Sequence, residues 1–235
     1  SSIIIVQNPT IEQFTDLTLH HSDALSCPCS QISTNYRAFI NLTYNLHPIC
    51  HSIYATEGWR RFIIGTSEIV LFVDFRVMGN LMFQAIQSLC ELAADTIDSN
   101  LAQFLSNTYI STSATAKRLF ESQINGSIEQ FISSMTKTFI WSLELIRSTT
   151  QYNPLLSGLF TNYYVHTLGQ TSRTYAASSF YDGCNCAYRR SCTTQHVMYH
   201  DRSLSNVWYV PGFYRGCFVL ESIMQSHLEC LFNRT

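Results

Sequence analysis

Charge is what this chain has least of. Asp, Glu, Lys and Arg make up 13% of its 235 residues, about half the usual share. Ser, Thr, Asn and Gln must supply the surface polarity instead, which suits an extracellular protein. There is no basic run and the net charge is -2, which argues against nucleic acid as a partner. Long hydrophobic runs are missing as well. The longest uncharged apolar stretch, Ile69 to Val73, falls far short of the roughly 20 residues that a membrane-crossing helix needs, so no span is expected within this segment. Catalytic signatures are also absent: no Gly-x-Ser-x-Gly elbow, no His-Glu-x-x-His, no P-loop and no Rossmann glycine pattern. Carboxylates are sparse, and Glu91 with Asp95 is more simply a polar helix face than an acid/base pair. No catalytic, cofactor or metal residue is nominated. An unusual hydrolase is only the alternative to a non-enzymatic role.

Cysteine, in contrast, is plentiful. Cys27, Cys29, Cys50, Cys90, Cys184, Cys186, Cys192, Cys217 and Cys230 make nine, several in tight clusters, and all are disulfide candidates in an oxidising compartment. Histidines beside Cys27-Pro-Cys29 invite a zinc reading, but Cys-x-Cys is a poor match to ligand spacing and no second knuckle follows. Disulfides are favoured. An odd count leaves one thiol free, bridged to another chain, or paired beyond Thr235. Connectivity is open, since eight cysteines alone allow about 105 pairings. Ties from the N-terminal and C-terminal clusters to the central helices are expected, because long-range staples constrain the unfolded chain most. Three sequons, at Asn41, Asn125 and Asn233, agree with secretion and with N-linked glycans, while Asn8-Pro-Thr is disqualified by its proline. A start at Ser1 without methionine or signal peptide reads as a processed product or an excised segment.

The length suits one domain over 1–235, or less simply two small ones. Its centre is a pair of amphipathic segments. In Gly79 to Asn107, Met82, Ile86, Leu89, Ala93, Ile97, Leu101 and Phe104 recur at steps of three and four, with Cys90 beside the stripe. Ala114 to Ser148 repeats the pattern with Leu119, Phe120, Ile124, Ile128, Phe131, Met135, Phe139, Leu143 and Ile146. Gly126 weakens or kinks this second helix. An antiparallel hairpin with facing stripes is the simplest product, and an intermolecular coiled-coil seam the alternative. The fold class is therefore mainly α, a helical bundle around a long-helix pair with a small β element, stapled by disulfides.

Around that pair, Ser2 to Gln7 reads as a strand, either in the domain's own sheet or donated to a neighbour through Ile3, Ile4, Ile5 and Val6. Thr10 and Gln13 have capping-box spacing and open a short helix with Ile11, Phe14 and Leu17. His20 and His21 fall on the surface near its end. Another short helix is expected at Tyr36, Phe39, Ile40 and Tyr44. Trp59 to Val77 reads as two strands split by Gly65-Thr66-Ser67, with Asp74 and Arg76 a solvated ion pair. Asn153-Pro154 starts a third helix to about His166, Gly169 to Ser179 is a loop, and Gly212 to Phe232 a final helix. His227 on its apolar face is a core histidine rather than a catalyst. Arg189 and Arg190 sit in a solvated loop or contact an anion.

LSCPCSQISTNYRAFI, HPICHS, LCELAADTI and VPGFYRGCFVLESIMQSHLEC resemble a large family of uncharacterised, cysteine-rich extracellular proteins associated with rotifers. The likeness covers nearly the whole chain. It implies an extracellular module from a longer precursor, some members carrying an upstream membrane anchor, with a partner cysteine just past Thr235. It implies no activity. Two functions are expected from these features. One is a secreted, glycosylated assembly protein, a filament or matrix subunit that associates with itself or with other extracellular proteins. The other is a ligand-binding or sensor ectodomain, with aromatic patches such as Tyr175–Tyr188 and Val207–Tyr214 lining a pocket.

Overall fold

The computed structural model describes residues 3–21, 24–65, 73–152, 157, 160–168, 173–200 and 207–228. Five helices are joined by short antiparallel strand pairs. The described contacts group into two compact units, each made of two chain segments. Unit 1 is Ser1–Thr43 with Ile97–Thr138, and unit 2 is Tyr44–Thr96 with Phe139–Thr235.

Both long amphipathic segments are single helices, α3 (Phe75–Ser106) and α4 (Lys117–Tyr152). Helix α4 runs through Gly126 without a break. Of its expected stripe only Ile124 is buried, Leu119 and Ile146 are exposed and the rest are half-buried, while Ile140, Trp141 and Leu145 on other faces are open. The antiparallel pairing expected along their length is not confirmed; among the described residues, Phe104 of α3 stacks on Phe131 of α4 with ring centroids 4.5 Å apart. That contact belongs to the core of unit 1, built on Ile40, Phe104 and Ile124 with Tyr36, Tyr109 and Phe120 packed against them. A three-residue ribbon beside it pairs β1 (Ser33–Asn35) with β2 (Thr108–Ile110). Only Tyr36–Ala38 of the expected second short helix forms, as a 3-10 turn.

The first short helix, α1 (Ile11–His21), starts as its sequence pattern requires. Gln13 N donates to Thr10 Oγ1 and the Gln13 side chain accepts from Thr10 N, the reciprocal bonds of a capping box. The strand expected before it does not form in this chain's own sheets. Ile3, Ile4 and Ile5 are unpaired and 90%, 84% and 80% exposed.

Unit 2 differs most from expectation. The first apolar run of 59–77 is helical, α2 (Glu57–Gly65), while 66–72 lie outside the described residues. A run this short is ambiguous between helix and strand. Here Thr56 Oγ1 accepts from Trp59 N, and Trp59 and Ile63, four residues apart, face the core. Of the expected third helix, 153–156 and 158–159 are outside the described residues and Tyr163–His166 is extended. Strands β3 (Tyr163–Leu168) and β4 (Arg173–Ser178) pair over six residues, replacing both that helix end and the expected loop. A tight hairpin, β5 (Phe180–Tyr181) with β6 (Cys184–Asn185), turns at Asp182-Gly183. Both turn residues have positive φ, 47° and 77°, the geometry that an Asp-Gly pair adopts most cheaply. Strands β7 (Thr193–Tyr199) and β8 (Val207–Gly216) form the longest ribbon, and the final helix shrinks to α5 (Val219–Gln225). A Cβ at Gly216 would land on the Cys192 carbonyl, so this stretch of β8 lies flat against the Cys192 backbone.

The core of unit 2 gathers Ile49, Ile63, Met82, Phe83, Ile86, Val210 and Phe213. Cys50–Cys90 ties the Pro-Ile-Cys-His turn to α3 as expected. The other two described disulfides, Cys184–Cys192 and Cys186–Cys217, do not reach the helical pair. They lock the β5–β6 hairpin to the ends of β7 and β8. Removing Cys50–Cys90 opens a loop of 40 residues and should cost about 4 kcal/mol. A Cys50→Ala, Cys90→Ala double variant is expected to unfold at correspondingly lower urea, and an unchanged midpoint would refute that linkage.

Candidate functional site

Among the described residues, chemistry-bearing side chains come together in several places. The first is in unit 2, where α3 begins. Asp74 is fully buried and its carboxylate accepts from Arg76 Nε at 2.9 Å, Arg76 Nη2 at 2.8 Å, Arg76 N at 2.8 Å and Tyr199 N at 3.0 Å. Arg76 Nη2 also donates to the Tyr199 carbonyl. The pair expected to be solvated is instead an internal joint between a helix start and strand β7. Burial opposes the Asp74 charge, but Arg76 and the two amides outweigh it and hold the carboxyl below its usual range.

Next to it lies His196, at the bulge where the β7–β8 register shifts. Its ring is fully buried edge-on to Phe75 at 5.2 Å, and neither nitrogen has a hydrogen-bond partner among the described residues. Desolvation, reinforced by the positive Arg215, pushes its pKa down to about 3. This is the core histidine of the protein. His227, expected in that role, is exposed, and its backbone N–H binds the Gly212 carbonyl.

A cleft beside Arg215 in unit 2 has a volume of about 350 Å³. Its base is Met78 and Tyr181, both buried, and its rim is the exposed rings of Phe160, Tyr164 and Phe180. Tyr181 is fixed at both ends. Its hydroxyl donates to the Thr161 carbonyl at 2.9 Å, and its ring packs on the buried cysteines 186, 192 and 217. Thr161 in turn donates to the Cys217 carbonyl. Burial pushes the Tyr181 phenol up, so it stays a donor at physiological pH. Arg215 lies with its guanidinium carbon 5.8 Å from the centre of that ring, a cation–π arrangement. Phe160 has φ of 54°, a left-handed conformation unfavourable for a bulky residue and of the kind that collects at binding sites.

The expected aromatic patches contribute in part. Phe180 and Tyr181 line the cleft, whereas Trp208 and Tyr209 are exposed outside it. Arg215 was not singled out by sequence, because nothing in Tyr-Arg-Gly marks an arginine that meets no carboxylate among the described residues. Arg190 is not a solvated or anion-binding residue. It pairs with Glu144 and Glu221, as does Arg147, which meets Glu221 at 2.6 and 2.9 Å.

In unit 1, Cys27 and Cys29 are free thiols, partly exposed. Their backbones pair with the 112–114 segment, Ala114 N donating to Cys27 O and Cys29 N to Thr112 O. Cys230 and the Asn233 sequon lie outside the described residues. Asn41 and Asn125 are exposed. Among the described residues no helix is long and apolar enough to cross a membrane. No protein-family model, curated protein or solved structure matches this chain.

Asp74→Asn should destabilise unit 2 by about 3–5 kcal/mol, because it strands a half-buried guanidinium. Acid should act through His196 first. Its folded pKa lies below the unfolded value near 6.5, so the unfolded state binds the proton and stability is full above that pH. It then falls by about 1.4 kcal/mol per pH unit on acidification toward 3. Asp74 adds a further loss below about pH 4, as its depressed carboxyl protonates. Urea titrations at a series of pH values should show this slope, and His196→Phe should flatten it between 6 and 4.

Proposed function

We propose that this chain is a secreted, glycosylated structural protein that assembles with further copies of itself, into a filament or matrix, through its apolar 3–6 segment. The observation that carries the reading is the exposure of Ile3, Ile4 and Ile5, each at least 80% open. Contiguous β-branched residues left in water favour burial against a partner. Acceptors are available, because each strand pair is two-stranded among the described residues and so keeps open edges. An added strand would take its hydrogen bonds from such an edge and its specificity from alternate side chains. Three disulfides suit an oxidising compartment. The exposed sequons at Asn41 and Asn125 suit glycans, and the resemblance to rotifer extracellular proteins points the same way. This role needs no cofactor, metal or catalytic residue.

A second reading, a ligand-binding or sensor ectodomain, is favoured by one feature, the aromatic cleft beside Arg215. The two readings part on association. Deleting residues 1–8, or substituting Ile4→Lys, should leave the melting temperature unchanged and convert assemblies to monomers in light scattering and negative-stain images. A wild-type protein that is monomeric at high concentration, with 3–6 protected from hydrogen exchange, would refute the assembly reading.

A further inference from the structure

We propose that the Arg215 cleft is a binding site for a carboxylate carried on a flat apolar body. The inference rests on the second reading above, that the cleft takes a ligand, and adds which chemistry it selects. Arginine is charged at every physiological pH, yet Arg215 makes no ion pair among the described residues. Its Nε–H is buried with no acceptor among the described residues, a state that is costly unless something fills it. The acidic side chains with partners in unit 2 are committed elsewhere. Asp74 is held by Arg76, Glu144 and Glu221 by Arg147 and Arg190, and Asp182 accepts from the Thr194 hydroxyl at 3.0 Å. Among the described residues no acid lines the cleft. The Tyr181 ring holds the guanidinium in place, so its fork is preorganised and loses little freedom on binding.

The walls decide the rest of the ligand. Phe160, Tyr164 and Phe180 are exposed rings around a space of about 350 Å³, at the lower end of small-molecule sites. They offer stacking surface, and Ser179 adds a hydroxyl at the same edge. A single planar fork with apolar walls matches a monoanionic carboxylate, which it can meet with two parallel bonds. A phosphate would want several cations or a nest of backbone amides, and among the described residues the cleft has one cation.

The test compares indole-3-acetate with indole-3-acetamide, equal in shape and different in charge, by ligand-observed NMR and calorimetry on the full chain. The expected result is saturable binding of the acetate and at least about tenfold weaker binding of the amide. Arg215→Gln should erase the difference between the two, and Phe180→Ala, at an exposed position, should weaken both alike. Should Arg215→Gln fail to fold, the wild-type ratio still decides. Equal affinity for acetate and amide overturns the charge selection while leaving a ligand cleft. Saturable binding of neither overturns both.

Discussion

The carboxylate of Asp74 is the constraint on which the rest of unit 2 depends. Removed from water, it must satisfy four acceptor contacts internally, and it does so with the Arg76 fork and amides from two distant stretches of chain. That requirement fixes where α3 begins and how β7 passes it. With both set, Phe75, Phe83 and Phe213 meet with ring centroids 5.0 to 6.1 Å apart, and the His196 bulge is closed from solvent. Breaking such a pair is far more costly than never having had it, so the joint acts less as an added bond than as a condition on the geometry around it.

Everything beyond that joint is small. Two-stranded ribbons are marginal on their own in water, and the β5–β6 hairpin has only two residues per strand. Covalent and ionic staples make up the difference. The Cys184–Cys192 and Cys186–Cys217 bonds converge on a fully buried patch with Tyr181. The bidentate Arg147–Glu221 pair holds α5 against the end of α4. The cleft inherits its rigidity from this cluster, because Tyr181 and Thr161 are fixed to the Cys217 backbone region before any ligand arrives.

Long periodic segments were legible in the sequence, and short ones were not. Stripes of thirty residues give α3 and α4 their helices, and the Thr10–Gln13 box gives α1 its start. Phe62-Ile63-Ile64 reads equally well in either state, and the Thr56 cap with the Trp59–Ile63 step decided for helix. The ribbon at 163–178 was missed although Tyr163, Tyr164, Val165 and Thr167 are strand formers, because Asn153-Pro154 suggested a helix first. Asp182-Gly183 was the overlooked signal, an unambiguous hairpin turn between Tyr181 and Cys184. At the cleft, Phe180 and Tyr181 were visible as part of an aromatic patch. Arg215 was not, since lacking a partner is a property of the folded neighbourhood and leaves no trace in local sequence. Cys27 and Cys29 show the same limit: a count of cysteines says that some are left over, and only packing says which.

The interleaving of the two units along the chain has a consequence for biogenesis. Unit 1 cannot close until residues 97–138 have been made, and unit 2 needs strand β8 and helix α5, near the end of synthesis. Unit 1 has all its residues once Thr138 is made, whereas unit 2, begun at Tyr44, stays open until the chain is nearly finished, unlike a chain whose domains close one after another. Cys50 waits for Cys90, 40 residues on, and Cys184 and Cys186 are made when Cys27 and Cys29 are already present as free thiols. Correct pairing in such a chain should be set by thiol–disulfide exchange during folding as well as by the stability of the finished fold.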